Sequence, residues 1–131
     1  MKKRILSIVL SIIVFAVVVA LVEALVHKIY PVPESLDKSK PETIKVYMET
    51  APQAALMGIV LAWFLATLAG CISLSLILKN QSRSAYLVFG AVVLFFTLIN
   101  LVNIPHPIWI NIAGPIGIAI ICFVFFKKSN Q

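Results

Sequence analysis

The sequence predicts an all-α polytopic membrane protein: four transmembrane helices in an antiparallel bundle, with a short extracytoplasmic amphipathic helix between the first and the second. Three observations carry this. The 131 residues are 61% hydrophobic and only 12% charged, where a soluble domain carries roughly 25% charged residues. Four long apolar stretches, 5–26, 51–78, 85–102 and 108–126, take up most of the chain, and about 20 apolar residues suffice to cross a hydrocarbon core as a helix. The charges cluster between and beside these stretches. Residues 1–131 are accordingly read as a single integral membrane domain.

The net charge of +6 does not point to nucleic acid, because its distribution is that of a membrane protein. Lys2, Lys3, Arg4, Lys79, Arg83, Lys127 and Lys128 all flank span ends, and cytoplasmic loops are the ones that collect Lys and Arg. The outer loop, 27–50, sets Lys28, Lys38, Lys40 and Lys45 against Glu34, Asp37, Glu42 and Glu49, and the turn at Pro105 carries no Lys or Arg. The expected location is the cell membrane, multi-pass, with both termini cytoplasmic.

The first span opens with Met1-Lys-Lys-Arg4, which would also suit a signal peptide, and Val22-Glu23-Ala24 would pass as a cleavage site. Its apolar run is longer than a signal peptide's hydrophobic region, so an uncleaved anchor is the expectation. Glu23 lies roughly 27 Å along the helix from Ile5, near the outer interface, and His27 one turn later shares its face. Pro31 and Pro33 then end the helix, since proline removes a donor and pushes its predecessor out of α geometry.

In the outer loop, Ser39-Lys-Pro-Glu42 matches a capping box with proline near the helix start. Ile44, Tyr47 and Met48 follow at helical spacing, predicting an amphipathic helix lying on the membrane surface. A second box, Thr50-Ala-Pro-Gln53, precedes the next span. That span contains a ladder of small residues, Gly58, Ala62, Ala66 and Gly70, extended by Ala55 and Ser73. Small residues at four-residue spacing let helix backbones approach closely. The ladder predicts a packing seam, either inside the bundle or against a partner.

Asn103-Ile-Pro-His-Pro-Ile-Trp109 joins the third and fourth spans as a hairpin, with Trp109 suited to the interfacial belt. Gly114-Pro115-Ile-Gly117 predicts an interruption and kink of the fourth helix. Cys71 and Cys122, each near the cytoplasmic end of a span and without a Cys-x-x-Cys spacing, read as small buried hydrophobes.

Polar residues gather on the outer side. Glu23, His27, Asn100, Asn103, His106 and Asn111 fall at similar depth, accompanied by Glu49 and Gln53, and polar groups in spans usually face the bundle interior or a water-filled cavity. They predict a shallow outward-facing polar pocket. No metal is expected there: the two histidines come from different segments, and no His-x-x-x-His or Glu-x-x-His pair exists. Nor is a cofactor expected.

No phosphate loop, nucleophile elbow or His-Glu-x-x-His motif points to catalysis, so the chain is not expected to be an enzyme. It also lacks the midplane carboxylate on which proton-coupled export depends. The expectation is an interaction or accessory subunit whose partners are the lipid bilayer and another membrane protein or a second copy. The alternative is a small transporter or ligand-binding membrane protein using the outer polar cluster.

Overall fold

Runs of Val, Ile, Leu and Ala without an internal charge leave the backbone no partner but itself in an apolar setting, and the helix satisfies every interior N–H and C=O. The computed structural model describes residues 1–129. These form α1 (Lys2–Ile29), α2 (Pro41–Thr50), α3 (Gln53–Leu78), α4 (Arg83–Asn103) and α5 (Ile108–Lys128). The described residues are thus all-helical. The four long helices, all but α2, are long and apolar enough to cross a membrane. Each extends a few residues past its apolar run or stops close to it. α1 continues through Ile29 before Tyr30 closes it, donating its N–H to the Val26 carbonyl at 2.8 Å just ahead of Pro31.

α3 is the central strut. It packs along α1, α4 and α5, with the α1 pairing the most extensive, while α4 and α5 also pair directly. Half of the most apolar window of α3 is buried, against 11% of that of α1. The core joins Leu56, Val60, Trp63 and Leu74 of α3 to Tyr86, Phe89 and Val93 of α4 and Ile110 and Ile118 of α5. Ala62 and Ala66 are fully buried within the chain, and Gly70 is buried beside them. This stretch of the ladder therefore packs against the chain's own helices, while Gly58 at its start is half-buried.

Glycine is placed where an aromatic ring of another helix docks. Gly70 lies against the Phe89 ring, and any Cβ there would collide with it. On α5, a Cβ at Gly114 would sit 2.7 Å from Trp63 Cζ3, and one at Gly117 would overlap Phe64. Helix α5 runs through Pro115 as one element of 21 residues with the proline inside it. The flanking glycines are accounted for by the two rings of α3 that they admit.

Both capping boxes fail to form. Ser39 donates its backbone N–H and its hydroxyl to Asp37 Oδ1, at 3.0 and 2.6 Å, so it is not free to cap. These bonds hold Asp37 below the usual carboxylate value. The N-cap is Lys40, with Pro41 opening the helix. Thr50 donates back to the Val46 carbonyl at 2.8 Å, and Pro52 precedes α3. A local hydroxyl–backbone bond competes with the cap and here displaces it. The predicted face of α2 is present but turned toward the bundle: Ile44, Tyr47 and Met48 are half-buried, and Met48 packs against the core.

The connection from α3 to α4 is tight. Lys79 and Asn80 are both left-handed, with φ of 50° and 58°, which costs on the order of 1 kcal/mol for each. The Tyr86 hydroxyl offsets this by donating to Asn80 Oδ1 at 3.1 Å while sharing a 2.8 Å hydrogen bond with Ser75 Oγ.

Candidate functional site

The six polar candidates do not form one pocket. Two grooves open at the end of the bundle that carries α2, and Met48 forms part of the wall of both. The first, about 450 Å³, brings His27 from the end of α1 and Asn103 from the end of α4 together with Lys38, Ser39 and Tyr47 over an apolar floor including Leu36 and Ile44. The second, also about 450 Å³, contains His106 with Lys45, Glu49, Gln53 and Trp109. Glu23, Asn100 and Asn111 line neither.

Each absence has a local cause. Ile110 is fully buried, and successive helical residues point about 100° apart, so Asn111 is turned outward and is exposed. Glu23 is half-buried. Among the described residues its side chain makes no hydrogen bond or salt bridge; the one salt bridge is Lys40 to Asp37 at 3.6 Å. Asn100 keeps its Oδ1 buried and without a hydrogen-bond partner among those residues.

His106 is the best-defined member. Its Nδ1 lies 2.6 Å from the Ile104 carbonyl. A carbonyl only accepts, so Nδ1 carries the proton and Nε2 of the neutral ring is left as an acceptor. The ring packs at a tilt of 59° to Trp63, with centroids 5.9 Å apart. Burial pushes its pKa below the ordinary imidazole value, and the bond to Ile104 opposes that only in part. A neutral acceptor beside Lys45 and Glu49 suits hydrogen bonding to a polar ligand. Among the described residues, no three His, Cys, Asp or Glu side chains converge as a metal would require.

Several polar residues escaped the sequence reading. Ser7 and Ser11, one turn apart, are buried along α1; Ser7 donates to the Lys3 carbonyl at 2.6 Å, whereas Ser11 Oγ has no partner among the described residues. Their four-residue spacing in a Val/Ile-rich helix is the same signal as the ladder and was available to find them. Arg83 donates its Nε to the Ser129 carbonyl at 3.0 Å and stacks over Phe126 at 5.6 Å, tying the start of α4 to the end of α5. No local pattern signals that contact.

A third groove, about 470 Å³, lies on the opposite flank of α2, where Pro33, Leu36, Val46 and Tyr47 form an apolar patch rimmed by Glu42, Thr43 and Thr50. Val46 is 59% exposed there. Compared with known proteins, the chain matches no family model, and no curated protein or solved structure shows significant similarity to it.

Proposed function

We propose that the chain is a multi-pass protein of the cell membrane, with four antiparallel spans, both ends cytoplasmic and α2 extracytoplasmic, that acts as an interaction subunit and not as an enzyme. Support for the orientation is the gathering of Arg4, Arg83 and the residues around Phe126 at one end of the bundle, against a neutral loop at the other. The interaction reading is carried by one observation: the apolar groove between residues 33–36 and α2. That segment is polar overall and lies outside the four long apolar helices, and within it Val46 stays 59% exposed beside Leu36 and Tyr47. Exposed apolar patches rimmed by polar groups mark protein or membrane contact sites, and we read this one as a protein contact.

A photo-crosslinker at Val46 should give a discrete adduct in intact cells, of one reproducible mass. Val46→Lys should abolish complex formation in native detergent extracts with protein abundance unchanged. The adduct's mass separates a second copy from a different membrane protein, and a chain that runs without adducts or complex would refute the reading. The groove shared by His27 and Asn103, polar above an apolar floor, supports small-ligand binding or transport as the second reading. It requires that His27→Ala or Asn103→Ala abolish a transport or binding phenotype while complexes through Val46 persist.

A further inference from the structure

At the basic end of the bundle, two cavities adjoin. One, about 400 Å³, is lined by Arg4 of α1, by Gln81, Ser82, Arg83 and Ser84 at the start of α4, and by Leu87 and Phe126. The other, about 370 Å³, is an apolar trough between α4 and α5, floored by Gly90, Ala91, Ala119 and Cys122. Leu87 and Phe126 line both, so the polar cavity and the basic end of the trough adjoin across these two side chains.

Among the described residues, the charges at this mouth have no acidic counterpart. Every Asp and Glu of the chain falls between Glu23 and Glu49, and among the described residues neither arginine has a carboxylate partner. Arg83 is held in place by its Nε bond to Ser129 and by Phe126, and no described residue hydrogen-bonds its Nη groups, the donors that an anion would meet. The α4 N-terminus, which Ser82 does not cap with its side chain, adds a favourable dipole beside them. The small residues of the trough leave room between α4 and α5 for a chain one methylene wide.

We propose that this composite groove is a binding site for an anionic phospholipid, its phosphodiester held by Arg4 and Arg83 and one acyl chain lying in the trough between α4 and α5. Basic pockets between transmembrane helices on the cytoplasmic side recognise headgroups in this way. The proposal rests on the membrane reading above and goes beyond it by naming the lipid class and its residues.

The test is native mass spectrometry of the full chain in a nonionic detergent, titrated with phosphatidylglycerol or phosphatidylcholine. Phosphatidylglycerol should be retained preferentially. Arg4→Gln and Arg83→Gln should each lower that preference about fivefold, and the double variant about thirtyfold. Among the described residues Arg4 makes no side-chain hydrogen bond, so R4Q remains informative should R83Q unfold. Ala91→Phe, which fills the trough without altering charge, should also lower retention. Lys127→Gln with Lys128→Gln should leave the preference in place.

Equal retention of the two lipids would overturn the proposal, as would undiminished preference in R4Q and R83Q or an equal loss in the double lysine variant. Displacement by glycerol phosphate alone would show a soluble phosphate site in place of a lipid site. Membrane fractionation separates the two readings: a chain that fails to fractionate with membranes removes both, whereas one that does so without lipid preference removes this one alone.

Discussion

His106 shows what one side chain in a four-residue turn does for the fold. Ile104, Pro105 and Pro107 leave few backbone donors between α4 and α5, and the imidazole supplies one by donating from Nδ1 to the Ile104 carbonyl. Because burial holds its folded-state pKa below the ordinary value, the unfolded chain takes up a proton that the folded ring resists. Stability from this ring is complete above about pH 6.5 and is lost as the pH falls through the lower folded value. Melting of the detergent-solubilised protein should therefore steepen in its decline below that pH, and His106→Gln should remove the extra slope. Parallel profiles for the two proteins would show that the ring is not buried as described. His106 was legible as a polar residue of the turn between the third and fourth long helices, because residue counting gives position along the chain. Its direction was not, because the path of a turn rich in proline is set by what packs beneath it, here Trp63.

At the scale of elements, the four-residue repeat on α3 was readable as a seam because spacing alone defines a helix face. The partners of that seam were not. Trp63, Phe64 and Phe89 resemble any other apolar residue of a span, and nothing local marks them as the rings that enter Gly114, Gly117 and Gly70. For the same reason Gly114 and Gly117 read as weak points around Pro115, when they are sockets in a continuous helix. The two capping boxes failed for a different cause: the motif residues were present, but nearer hydrogen-bond acceptors took their hydroxyls. The sockets make a quantitative demand. Gly70→Ala forces a methyl into the Phe89 ring, an overpacking that costs about 1–3 kcal/mol. Phe89→Leu by itself should destabilise through lost contact, yet in the Gly70→Ala background it should recover part of the loss. Such non-additivity is the signature of direct contact, read from unfolding midpoints of the four proteins in detergent. Strictly additive costs would mean that the two helices do not meet there.

For the whole molecule, the orientation proposed above turns on an imbalance that packing does not explain. The connection 79–84 contains Lys79 and Arg83 without an acid, and both chain ends add lysines or arginine, whereas residues 27–50 balance four lysines with four acids. Retention of Lys and Arg on the cytoplasmic face is a matter of insertion, and four spans of even number then place the two ends on the same side. Single cysteines report this directly. Cys71 and Cys122 are free but buried, so a polar maleimide should not reach them in the folded protein and the native pair need not be removed. Ser39→Cys, exposed ahead of α2, should label in intact cells; Gln81→Cys, exposed between α3 and α4, should label only after permeabilisation. The reverse pattern would invert the molecule and move the α2 groove into the cytoplasm, away from any extracytoplasmic partner. Labelling of both positions in intact cells would deny that α3 crosses the membrane at all, since Ser39 and Gln81 flank α2 and α3 and of these only α3 is long and apolar enough to cross.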